Sequence, residues 1–125
     1  MTVTTSTQAD EALHVAANKT LALYFHLFFT RHKRLSSRPE HFAIAFVDML
    51  PERGVQAVRL ADHPLIHLLV AERIPVRILM QRWITRQEEQ RFQRLMDRED
   101  WPIGLLLNFG APTPQLRRFF LDTAP

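Results

Sequence analysis

The chain reads as an α/β sandwich, a small mixed β-sheet flanked by helices. Three observations carry this reading. Apolar residues recur at helical spacing through the early part of the chain, from Leu13 to Met49. Short apolar runs bounded by turn residues follow, at Leu65 to Val70 and Ile74 to Met80. A helix opening at Thr85 separates them from another apolar run, Gly104-Leu-Leu-Leu-Asn-Phe-Gly-Ala-Pro112, which ends in a tight turn.

The elements follow in order. A first helix is expected from Ala9 to Lys33, after a frayed tail over residues 1–8. Leu13, Ala16, Ala17, Leu21 and Phe25 form its inward stripe. Its later part, Leu21 to Phe29, is apolar almost all round and must be buried on more than one side. His26 within it reads as a satisfied core or interface histidine. Ser36 and Ser37 offer N-caps, and Pro39 fits the first turn of a second helix carrying Phe42, Ala45, Phe46 and Met49. Pro51 and Gly54 end that helix. Val55 to Leu60 sets Val55, Ala57 and Arg59 against Gln56, Val58 and Leu60 and reads as a strand. Asp62-His-Pro64 is a turn, and the two apolar runs after it are strands. Thr85-Arg-Gln-Glu88 is a capping box: the hydroxyl takes the amide three residues on and the glutamate reaches back. The helix presents Phe92, Leu95 and Met96 on one face. Ile103 to Phe109 and Gln115 to Leu121 are the last strands.

Composition bounds the function. With 125 residues, 46% apolar and 23% charged, residues 9–125 form one globular domain able to bury a core. No cysteine is present, which removes disulfides, thiolate nucleophiles and Cys-based zinc sites. Met1 to Asp10 is polar and Thr-rich, without the regions of a signal peptide. The run from Leu21 to Phe29 is too short to span a bilayer. These features predict a soluble, cytoplasmic protein that needs no membrane. The net charge of +3 is modest, with basic residues clustered at Arg31-His-Lys-Arg34 plus Arg38 and at Arg117-Arg118. Such clusters read as a solvated loop and a solvated strand edge.

The segment Thr85 to Met96 together with Ile103 to Pro112 resembles the GxxExxY proteins, small bacterial members of the PD-(D/E)XK nuclease-like superfamily. The resemblance covers roughly residues 40–121. Gly104-Leu-Leu-Leu-Asn-Phe-Gly110 resembles the family's last core strand, Glu89 matches its helix glutamate, and Met49 to Val55 is similar to its Leu-Arg-Glu-Arg-Gly-Ile segment. The Gly-x-x-Glu-x-x-Tyr signature is not intact: Arg38 to Phe42 offers Glu40 one residue out of register and Phe42 for the tyrosine. The resemblance implies a restriction-endonuclease-like core. It also implies a divalent cation held by an Asp on one strand and a Glu on the next, with a Lys two residues beyond. Hard oxygen ligands would bind Mg²⁺, and ion and lysine would stabilise charge on the phosphate. By that correspondence the three positions fall on His67, Arg77 and Leu79, and the helix Gln and Tyr fall on Arg91 and Leu95. An imidazole and a guanidinium repel a divalent cation. The resemblance therefore implies a pseudo-nuclease, degenerate at its catalytic positions.

Other constellations were weighed against it. Asp62 and Glu72 flank one strand at opposite ends, about 20 Å apart, too far to share an ion. Glu88, Glu89, Asp97, Glu99 and Asp100 read as caps and a solvated helix face. His63 and His67 stand roughly 13 Å apart along an extended chain, which does not make a zinc pair. Arg77, Arg82, Arg86, Arg91 and Arg94 surround Trp83; basic residues interleaved with an aromatic are what single-strand binders use. Leu21, Tyr24, Phe25, Phe28 and Phe29 are the candidate protein interface.

The expected function is a catalytically inactive nuclease-like domain that acts as a protein-interaction or scaffolding module and self-associates or takes a protein partner. It carries no metal and no cofactor. Two alternatives stand beside it. One is a DNA- or RNA-binding domain using the old nuclease groove. The other is a metal-dependent nuclease with a migrated active site.

Overall fold

Residues 2–30 and 38–121 are described by the computed structural model. The basic segment Arg31 to Arg34 and Ser36 and Ser37 lie outside them; the N-cap of the second helix is Arg38 and not a serine, and no side chain caps it, while Pro39 does open its first turn. Helix α1 spans Thr2–Thr30 and α2 spans Pro39–Met49. Strands β1 (Ala57–Arg59), β2 (Leu68–Val70) and β3 (Ile74–Leu79) follow. Helix α3 (Arg86–Glu99) leads to β4 (Ile103–Asn108) and β5 (Gln115–Phe120). The order of elements is the expected one. Helical backbone already begins at Thr2, earlier than the expected start at Ala9.

The five strands form one mixed sheet in the order β1-β2-β3-β4-β5. All neighbours are antiparallel except β3 and β4, which run parallel with Val76 opposite Leu105 and Leu79 opposite Asn108. Parallel neighbours need a crossover, and α3 supplies it. β1 and β2 are shorter than their apolar runs suggested. The cause is local: the amides of Leu65 and Ile66 are taken by His63 Nδ1, each at 3.0 Å, so the chain turns there instead of pairing.

The pleat divides the core into two layers. Leu68, Val70, Ile74, Val76, Ile78, Ile103, Leu105 and Leu107 face α1 and α2. Leu79 and Leu106 face α3 and its Phe92, Leu95 and Met96. Gly104 also faces α3. A Cβ there would lie 2.5 Å from Met96 Sδ and 2.6 Å from Phe92 Cε2, so only glycine lets the helix sit this close.

In α1, Leu13, Ala16, Ala17, Leu23, Tyr24, Leu27 and Phe28 are buried. Phe25 was expected in that stripe and is exposed instead, because it lies about 100° round the helix from Tyr24. His26 is also exposed, not in the core. The arginines of β5 are part-exposed and also tethered. Arg117 pairs with Glu89 at 3.4 Å, and Arg118 donates to Asn18 Oδ1 at 2.9 Å.

The end of β4 joins every layer. Phe109 is 2% exposed and meets the rings of Tyr24, Phe28, Phe42 and Phe46, stacking on Phe42 at 3.9 Å. The fully buried Asn108 amide accepts from Gln81 N and Gly110 N and donates to Gln81 O and Gln115 Oε1. A Cβ on Gly110 would fall 2.5 Å from Met80 C and 2.6 Å from Gln81 N. The Tyr24 hydroxyl lies 2.6 Å from Asn108 O and 3.1 Å from Gln115 O, and accepts from Gln115 N at 2.9 Å. Burial dominates the Gln115 hydrogen bond and pushes the phenol up from 10.0 to about 12.

Tyr24→Phe keeps the ring and leaves the Gln115 amide without its acceptor, which should cost about 1–3 kcal/mol in urea unfolding. The phenol is raised in the folded state, so its contribution is complete below pH 10 and is lost as pH climbs towards about 12. Tyr24 is the only tyrosine, so phenolate absorbance reads it directly. A phenol titrating like a free one in the folded protein would contradict this packing.

Candidate functional site

The β2–β3 pairing brings together two of the positions the resemblance singles out. The His67 amide donates to Val76 O at 3.0 Å, and His67 Nδ1 accepts from the Ile78 amide at 2.9 Å. Arg77 therefore stands beside His67. Leu79, the third position, is buried against α3 at 3% exposure. Because Nδ1 accepts, the neutral ring carries its proton on Nε2. Protonating it would set an Nδ1–H against the Ile78 N–H. The His67 pKa is held below its usual value by burial first and by the Arg77 guanidinium second; the Glu40 carboxylate opposes both.

Arg77 leaves β3 on the α3 side and is engaged there through two of its three nitrogens. Its Nε meets Glu88 Oε2 at 3.2 Å and its terminal nitrogen donates to Leu65 O at 2.9 Å. The Glu88 carboxylate also takes Gln81 Nε2 at 3.3 Å and lies 3.9 Å from Arg91. Glu88 is only 9% exposed. The solvated-face reading of Glu88 is therefore corrected. So is half of the capping box: Thr85 Oγ1 accepts from Glu88 N at 3.2 Å, but the carboxylate turns away to Arg77. A sheet arginine with apolar neighbours needs an acid, and that need outweighs the cap.

Behind this pair lies a small polar cavity of about 140 Å³, lined by Glu40, Arg59, His63 and His67 among others. His63 and His67 each use Nδ1 on backbone amides. The side-chain hydrogen bonds of both rings among the described residues all run through Nδ1, none through Nε2. No group of three His, Asp or Glu side chains among the described residues could hold a metal ion. A larger groove of about 460 Å³ lies elsewhere, beside α1. Its one cation, Lys19, donates to Arg53 O at 2.9 Å, so its chemistry is sparse.

The proposed arginine surface divides. Arg77 and Arg91 belong to the Glu88 network. Arg82, Arg86 and Arg94 are exposed and have no ion-pair partner among the described residues, and Trp83 beside them is 58% exposed. The proposed interface divides too. Tyr24 and Phe28 lie in the monomer core and Leu21 is half-buried, while Phe25 and Phe29 are 42% and 69% exposed. Arg59, His63 and Glu88 were not singled out from sequence as one site. For Glu88 the signal was Arg77 itself, a charge inside an apolar strand. For Arg59 and His63 no signal existed, because they meet only across the turn before β2.

No family model matches the chain, and no curated protein or solved structure matches it.

The buried pair is directly testable. Arg77→Leu should destabilise by about 3–5 kcal/mol by stranding the Glu88 carboxylate, and adding Glu88→Leu should restore most of that loss. Urea unfolding of both singles and the double supplies the cycle. Additive losses would mean the two side chains do not act as a pair.

Proposed function

We propose that this protein is a non-catalytic, nuclease-like binding domain, related to the GxxExxY proteins, that works by self-association through the exposed face of α1. One observation carries the non-catalytic half. At the position the resemblance assigns to a metal-binding glutamate stands Arg77, its guanidinium held by Glu88 and Leu65 O. A cation there excludes a divalent ion by repulsion, and the neighbouring His67 and Leu79 offer no carboxylate. The association half rests on Phe25 and Phe29, two large rings one turn apart on the outside of α1, with Ile44 of α2 also 41% exposed. Exposed apolar groups gathered on neighbouring elements favour contact with another protein surface.

A second reading is favoured by the free arginines. Arg82, Arg86 and Arg94 keep their charge unpaired beside the exposed Trp83, the combination that binds single-stranded nucleic acid.

Two expected outcomes follow. The protein should leave linear DNA, supercoiled DNA and RNA uncut in Mg²⁺ and Mn²⁺. It should sediment as an oligomer that Phe25→Asp with Phe29→Asp dissociates without unfolding. EDTA-sensitive cleavage, or a wild-type monomer at high concentration, would overturn the corresponding half. For the second reading, fluorescence anisotropy with labelled oligonucleotides should give a log–log salt slope of about −2 to −4, since few phosphates are neutralised. Arg82→Ala with Arg86→Ala should weaken binding to all sequences alike. Absence of binding at low salt would remove that reading.

A further inference from the structure

The cavity beside β2 is built for hydrogen-bond donation. His63 Nδ1 accepts from the amides of Leu65 and Ile66, each at 3.0 Å. His67 Nδ1 accepts from the amide of Ile78 at 2.9 Å. Backbone geometry thus fixes both neutral rings as the Nε2–H form. Both rings line one cavity, and neither Nε2 meets a protein acceptor among the described residues. Arg59 lines the same cavity and forms no ion pair among them. Two imidazoles with a proton on Nε2 and a guanidinium line one space, with the Glu40 carboxylate as the opposing charge among the lining residues.

An acid–base role fits this geometry poorly. A general base needs a bare nitrogen facing its substrate. Here the bare nitrogen of each ring is spent on the backbone, and the nitrogen left over already carries a proton. Each ring can donate a hydrogen bond and cannot take a proton without breaking its own support. The cavity size narrows the ligand further. About 140 Å³ is well below the ~300–1,000 Å³ of pockets that enclose drug-sized molecules. It accommodates one tetrahedral group, not a whole nucleotide.

We infer that the cavity lined by Glu40, Arg59, His63 and His67 binds a single phosphate-type oxyanion, held by two imidazole Nε2–H groups and the Arg59 guanidinium. The ligand is either free phosphate or the terminal phosphate of a monoester. Glu40 is the opposing charge: exposed at the cavity, it weakens the binding of a dianion and limits the affinity. This inference does not depend on the self-association of α1 or on any nuclease ancestry.

The test uses long-range proton–nitrogen NMR of the histidine rings in the full chain. Titration with inorganic phosphate should move the Nε2 signals of His63 and His67 along one saturable curve, while the exposed His14, His26 and His41 stay put. Glycerol phosphate as a second arm distinguishes the sources. Tighter binding than inorganic phosphate assigns the site to a monoester terminus, and weaker binding assigns it to the free ion. Arg59→Ala should weaken binding about tenfold, the loss of one charge-assisted contact. Glu40→Gln should tighten it several-fold. His63→Asn and His67→Asn are the folding controls. Their side-chain oxygen replaces Nδ1 as the acceptor for the backbone amides, while the Nε2–H donor is lost, so the proposal requires weaker binding in a folded protein. Unsaturable shifts, equal shifts at all histidines, or unchanged affinity in the asparagine variants would overturn it.

Discussion

Phe109 leaves β4 into a ring of aromatic side chains drawn from both helices on one side of the sheet. Its neighbour Asn108 ties β4 to the β3–α3 loop and to β5 through one fully used amide. A Cβ on Gly110 would then lie 2.6 Å from the Gln81 backbone. The constraint is mutual. The ring cluster needs Phe109 at this depth, the depth needs the bare glycine, and the glycine's position needs Asn108 to bind Gln81. Tyr24 adds the last link by closing the Asn108–Gln115 hairpin against α1. The Gly-Leu-Leu-Leu-Asn-Phe-Gly strand is thus explained almost residue by residue as architecture. Gly104 admits α3, the leucines fill both layers, and Asn108 to Gly110 lock the end.

The second constraint is electrostatic. Arg77 lies in the middle of a sheet and can stay charged only with an acid at hand. Glu88 supplies it from the first turn of α3, a position that the N-terminal end of a helix also favours for a carboxylate. The same contact removes two groups from solvent chemistry at once. The acid cannot join a metal site, and the guanidinium cannot reach a ligand. On the other side of β3, His67 is held neutral by burial and by Arg77, and its ring is aimed by a backbone amide. Charge is therefore sorted across the sheet. A neutralised ion pair packs under α3, and donor groups remain around the small cavity near α2.

This sorting links fold to function. The rigid part of the molecule is the β3–β4–α3 unit, sealed by Gly104, Asn108 and the Arg77–Glu88 pair. Exposed and part-exposed groups lie at its margins: Phe25 and Phe29 on α1, Arg82, Trp83 and Arg86 at the entry to α3, and the imidazoles beside β2.

The amino-acid sequence determined the order of elements, the crossover helix with its Thr85 cap, and the inward faces of α3 and β4. These follow from periodicity and local capping, which are properties of neighbouring residues. It also shows an imidazole at position 67 and a guanidinium at position 77, since residue type is readable without a fold. Tertiary structure decided the rest. Phe25 and Tyr24 are adjacent in an apolar run, and only the position of the sheet sends one outward and the other to the core. Glu88 has the spacing of a capping acid, and only the proximity of Arg77 across the α3 interface draws its carboxylate away. His63 and His67 read as separate turn and strand residues. The folded chain sets them on one cavity, with His67 Nδ1 held by the Ile78 amide of the neighbouring strand, a contact that no local pattern encodes.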